Sequence, residues 1–267
     1  AVTTWATTHP GRIVFSNPAE GSETIKLQLK RLMITEHVRD GRIGLLTSGD
    51  LEPGWNYCRT DCYFSNIVEY QENIRARELL TTPEHREAVR DRAGSKPYDF
   101  LFLNGRLRPH RKYIIDGLRQ RGLLDRALWT NLCSRVEMPW SSALHTGKLE
   151  PIRLLPPEYE IDRAKKNLKP SLYTDGGFVK HKLFDNTWGD AEVNPRCYTD
   201  THFSLVTETI YDYPYTFRTE KIWKPVLMAH PFIVASNTGY YRSLHEAGFR
   251  TFNHLIDESF EIGRAHV

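Results

Sequence analysis

Twice along its 267 residues this chain runs from a short β-prone stretch, through a segment with helical spacing, into another apolar stretch bounded by turn residues. That alternation admits few folds. When a helix separates each strand from the next, the crossover returns the chain to the same end of the sheet, and the strands pair in parallel. In the first half, residues 12–16 are β-rich and stop at Asn17-Pro18, a turn signal. Ile25, Leu29, Leu32 and Met33 recur at helical spacing within residues 22–38, and Gly41 follows as a helix stop. Residues 43–47 read as a buried strand closed by Ser48-Gly49-Asp50. Residues 69–93 are charged and helix-prone, and residues 98–103 form the clearest strand of this half. A basic loop, Asn104 to Arg111, follows that strand and opens a helix through Ile114, Ile115 and Leu118 to Gly122.

The second half repeats the rhythm. Strands are expected near 171–173, at 203–207 and at 231–235. Thr219 is placed to cap a helix that runs to about His230 with Pro225 inside it. Gly239 precedes a last helix through Leu244 to Ala247, stopped by Gly248. The expectation is an α/β protein with two Rossmann-like domains, residues 1–145 and 171–261, joined by a Pro- and charge-rich linker at 146–170. Residues 262–267 (IGRAHV) read as a non-native tail, and the second domain is expected to be truncated.

Composition limits the function classes. With 36 basic and 33 acidic residues the net charge is +3, too balanced for a protein that coats nucleic acid. No apolar run approaches the roughly 18 residues a membrane span needs. The start of the chain has neither the basic segment nor the apolar run of a signal peptide, so a cytoplasmic location is expected. Cys58 and Cys62 are four apart, while Cys133 and Cys197 stand alone with no ligand at metal spacing, so reduced thiols rather than zinc are expected.

The chemistry concentrates between Phe203 and Pro231. Glu208 ends a strand, Arg218 and Lys221 flank Glu220 at a helix start, and Lys224 follows one turn on. Tyr211, Tyr213, Tyr215 and Phe217 add rings. A diphosphate ligand needs cations and helix-terminal N–H groups, a ribose needs a carboxylate acceptor, and a base needs an apolar or aromatic slot. This one strand-loop-helix unit offers all three. A solvated helix face would carry the same residues, because an acid in a first turn is favourable whatever the function. The basic loop, with Asn104, Arg106, Arg108 and Arg111, occupies the strand-to-helix position where α/β sheets receive ligands.

The run Val206-Thr-Glu-Thr209, then Phe217-Arg-Thr-Glu-Lys-Ile-Trp223, then His230-Pro-Phe-Ile-Val234 resembles the donor-binding segment of the α1,3-fucosyltransferases. Much of residues 98–260 resembles the fucosyltransferase-like proteins of large phages and algal viruses. They share the basic loop, Gly248-Phe-Arg-Thr-Phe252 and Asp257-Glu-Ser259. The resemblance implies a GT-B glycosyltransferase that uses a nucleoside-diphosphate sugar and a glycan acceptor. It implies no cofactor and no metal, there being no Asp-x-Asp motif. Glu220 would contact ribose and Lys221 the diphosphate. The chain departs from the fucosyltransferases at Lys224-Pro225 and at His230-Pro231, so the donor sugar stays open. The catalytic base is open too: Glu20, Asp50 and Glu52 are candidates by their place after strands. Two other readings remain, a viral DNA-base glycosyltransferase using the basic loop as a groove, and a non-catalytic glycan-binding protein on a transferase fold.

Overall fold

The computed structural model describes residues 13–17, 29–33, 35–47, 51, 54–59, 87, 94–105, 107–131, 153–159, 194–211 and 216–259. Among these residues the protein is α/β with two parallel sheets. The first sheet contains β1 (Ile13–Asn17), β2 (Ile43–Thr47) and β3 (Tyr57–Arg59), with β2 in the middle. Helix α1 (Thr35–Arg39) precedes β2 and packs Val38 against Leu29, Ile43, Leu45 and Leu51. Residues 29–31 are helical, but Leu32 and Met33 form a turn, with Met33 at φ 54°, so the single helix expected over 22–38 is broken there.

The second sheet has the order β5-β4-β6-β7, built from β4 (Tyr98–Asn104), β5 (Ala127–Asn131), β6 (Thr201–Thr207) and β7 (Phe232–Ala235). All three of its ladders are parallel. This corrects the expected domain boundary. Strands β4 and β5 come from the stretch assigned to a first domain, yet β4 pairs directly with β6, Phe100 opposite Phe203. The expected linker at 146–170 does not divide the sheets either. Arg153 bridges to Asn131, and Tyr159 packs against Leu101 and Leu128 in the sheet's core. Phe100 and Phe102 of β4 share one buried core with Phe203 and Leu205 of β6, and burying them in one sheet outweighs the polar composition of the intervening segment. The strand expected at 171–173 and most of the charged stretch 69–93 lie outside the described residues.

Alternation along the strands gives each face of this sheet its own core. Phe100, Phe102, Phe203 and Leu205 face helix α2 (Pro109–Gln120), meeting Ile115, Leu118 and Leu107. On the other face, Leu101 and Leu128 pack with Cys197 and Tyr198 of α3 (Pro195–Thr199). There too Val206, Phe232 and Val234 pack with Ile222 and Trp223 of α4 (Glu220–Leu227) and with Tyr240, Tyr241 and Leu244 of α5 (Tyr240–Glu246).

The helices end alike. In α2 and α5, Gly122 and Gly248 adopt positive φ, and the next two amide groups fold back onto the last turn as Gly122 N→Arg119 O with Leu123 N→Leu118 O, and Gly248 N→His245 O with Phe249 N→Leu244 O. Helix α4 makes the same closure with Ala229 at φ 47°, bonding Ala229 N→Val226 O and His230 N→Pro225 O. An L-residue is strained there and glycine is not, so Ala229→Gly is expected to raise stability by about 0.5 kcal/mol, the strain relieved exceeding the added unfolded-state entropy. A chemical-denaturation midpoint at or below that of the wild type would refute this.

Candidate functional site

In the second sheet β4 lies between β5 and β6, and the connections leave it in opposite directions. In order of appearance its strands run 2-1-3-4, so the carboxyl ends of β4 and β6 form the topological switch point where open α/β sheets bind ligands. Of the residues singled out in the sequence, Asn104, Arg111, Glu208, Glu220 and Lys221 lie at or beside this edge.

Asn104 ends β4. Its side-chain Oδ1 accepts from Thr207 Oγ1 at 2.7 Å, while its backbone exchanges hydrogen bonds with Thr130 Oγ1. Asn104 Nδ2 is fully buried and makes no hydrogen bond, an orphan donor directly at the switch point. Arg111, in the first turn of α2, donates from Nη2 to the carbonyls of Thr207 (3.0 Å) and Glu208 (3.1 Å). His110 Nε2 donates to the Glu208 carbonyl at 2.9 Å, and its ring stacks on Tyr211 at 5.2 Å. Arg108 is buried at the N-cap of α2, which has no side-chain cap. His110 and Arg111 therefore tie the start of α2 to the end of β6. Arg106 lies outside the described residues.

Glu208 follows β6 and is completely buried. Its Oε1 accepts from Thr219 N at 3.1 Å and Tyr240 OH at 2.6 Å, and its Oε2 from Thr219 Oγ1 at 2.6 Å and Thr209 N at 3.3 Å. The carboxylate thus ties the strand to the cap of α4 and the first residue of α5. Sequence reading placed it against the donor; its four hydrogen bonds all run inside the protein, which makes it a positioning group. Arg218 also turns inward, donating from Nη1 to Ser243 O (3.0 Å) and Oγ (2.5 Å) with its guanidinium 5.5 Å from the Trp223 ring.

Thr219 caps α4 as expected: its Oγ1 accepts from Lys221 N at 3.4 Å while donating to Glu208. This fixes Glu220 and Lys221 at the first turn, where they form an ion pair at 2.5 Å with side chains 12% and 15% exposed. Burial opposes charge on Glu220, but Lys221 and Lys224 outweigh it and hold its carboxyl below the usual glutamate range. Lys224 is itself buried one turn further on.

Three features escaped sequence reading. Tyr240 reaches Glu208 from 32 residues away, and Ser243 collects Thr216, Arg218 and, from β3 of the first sheet, Arg59 Nη1 at 3.5 Å. His230, whose presence departs from the fucosyltransferase pattern, sits at the opposite end of the sheet. There its Nε2 donates to Thr201 O and its Nδ1 accepts from Ser204 Oγ, both at 2.9 Å. Nothing in the local sequence signals these, because each joins separate elements. The candidate bases Glu20, Asp50 and Glu52, with Tyr213 and Tyr215, lie outside the described residues. Among the described residues, no cluster of three or more His, Cys, Asp or Glu is placed to hold a metal ion, and no helix is long and apolar enough to cross a membrane. Compared with protein families, curated proteins and solved structures, the chain finds no match.

Proposed function

We propose that this protein is a glycosyltransferase that binds a nucleoside-diphosphate sugar at the carboxyl edge of the β5-β4-β6-β7 sheet and passes the sugar to a hydroxyl of a glycan. The carrying observation is the Glu220–Lys221 pair. Its side chains are mostly buried at the first turn of α4, Lys221 the more open of the two, braced by Thr219 and buried Glu208, and next to the switch point formed by Asn104 and Thr207. Lys221 supplies the charge that a leaving diphosphate requires, and the helix start adds favourable N–H dipoles. Glu220 supplies the acceptor for ribose hydroxyls. The reaction is displacement of the nucleoside diphosphate at the anomeric carbon by the acceptor oxygen, its proton passing to a carboxylate base. The two-domain GT-B architecture belongs to the same proposal. The three-stranded parallel sheet is its second half, and Arg59 at the carboxyl end of β3 reaches α5.

The test is Lys221→Ala with a calorimetric panel of nucleoside diphosphates. Loss of a charge-assisted contact is expected to weaken binding by about 1.5–3 kcal/mol with the melting profile retained. Unchanged affinity for every nucleotide that the wild type binds would remove Lys221 from the site and the reading with it.

A further inference from the structure

Lys221 has three N–H bonds to give, and each already has an acceptor: Thr209 Oγ1 at 3.3 Å, Thr219 Oγ1 at 3.2 Å and Glu220 Oε1 at 2.5 Å. Two of these are neutral hydroxyls. The third is a mostly buried carboxylate. An oxyanion approaching the ammonium therefore meets a charge that is already neutralised and a second charge that repels it.

We infer that Glu220 is a specificity-determining gate, closing Lys221 to bare anions and yielding to a ligand that brings hydroxyl donors together with its phosphates. The inference rests on the donor-site reading above and adds to it a selection between ligands. Inorganic phosphate or pyrophosphate that takes the ammonium from Glu220 leaves that carboxylate charged at a mostly buried position without its donor. A nucleoside diphosphate makes the same displacement, and its ribose hydroxyls replace the bond that Glu220 loses. The exchange then leaves neither charge orphaned.

The surroundings favour such an exchange over a rigid pair. Thr219 Oγ1 is anchored to Glu208 at 2.6 Å, so Lys221 keeps a fixed acceptor when it turns from Glu220. Lys224 contributes to the field at Glu220 independently of Lys221 and favours its charged form.

The experiment is titration calorimetry of the full chain with inorganic pyrophosphate and with GDP at constant ionic strength, comparing the wild type with Glu220→Gln. Removing the competing charge is expected to tighten pyrophosphate binding about tenfold and to reduce selectivity for GDP over pyrophosphate by at least about tenfold. In Glu220→Gln/Lys221→Met the gain for pyrophosphate is expected to vanish. Pyrophosphate affinity that is unchanged, weakened or unmeasurable in both proteins overturns the inference, and so does a gain that survives loss of Lys221. If Glu220→Gln does not melt cooperatively, Glu220→Asp, whose shorter arm withdraws the carboxylate from Lys221, is judged by the same outcomes. The two readings fail separately. A Lys221-dependent pyrophosphate gain with no nucleoside diphosphate of the panel bound by the wild type sinks the donor site and leaves the exclusion of bare anions standing. GDP binding without that gain does the reverse.

Discussion

Glu208→Ala is expected to lower the stability of the fold by about 4 kcal/mol, since it strips an acceptor from several buried donors at once. Thr219 N–H, Thr219 O–H and Tyr240 O–H all point at this carboxylate, from the start of α4 and the start of α5. The residue is fully enclosed, so these donors have no contact with bulk solvent. In a domain whose total stability is about 5–15 kcal/mol, a loss of this size moves the melting temperature by roughly 10 °C. Glu208→Gln is expected to cost about half as much: the amide oxygen keeps the Oε1 partners, but its NH2 faces Thr219 Oγ1, which already accepts from Lys221. The order wild type, Gln, Ala in melting temperature is the measurement. An alanine variant melting within about 2 °C of the wild type would show that the cluster is held by other contacts.

His230 predicts a second large effect, this time with pH. Burial is the main cause that pushes its pKa from 6.5 down to about 4, and Lys96 and His202 add repulsion, while the bond to Thr201 works the other way. The folded state therefore holds the ring neutral where the unfolded chain takes up a proton. The group's contribution is complete above pH 6.5, falls as pH drops below that value, and is gone once pH has passed through about 4. The span corresponds to about 3 kcal/mol. Urea unfolding at pH 7 and at pH 4.5 gives the slope, and the same pair of measurements on His230→Gln subtracts the carboxylates that titrate in the same window. The variant is expected to lose less stability than the wild type on acidification. An equal loss in both would mean that the ring accepts a proton without unfolding.

How much of this was legible depends on the range over which each signal acts. Strands at 43–47, 98–104 and 232–235 show in the sequence because each is a run of apolar and β-branched residues closed by turn chemistry. Thr219 as a cap and Gly122 and Gly248 as stops are equally local. The break at Met33 and the end of α4 at Ala229 are not legible, since neither residue favours positive φ and only packing imposes it. Strand β5 has no turn signal of its own, and α3 is five residues held by Asn194 capping Arg196 N. Glu220 and Lys221 could be named from their helix-start context. The inward turn of Glu208 could not, because its partners lie 11 and 32 residues away and are brought to it by the sheet.

The pairing of β4 with β6 also governs how the chain folds. Tyr98 lies opposite Thr201, so the central ladder closes a loop of roughly a hundred residues, an entropic cost met before any of its contacts forms. Until β6 is available, β4 carries an open edge, and Phe100 and Phe102 lack their stacking partner Phe203 and neighbour Leu205. A chain caught in that state would expose an unpaired apolar edge, so refolding yield is expected to fall with protein concentration. It should recover when refolding is carried out dilute or with a chaperone that shields exposed strands.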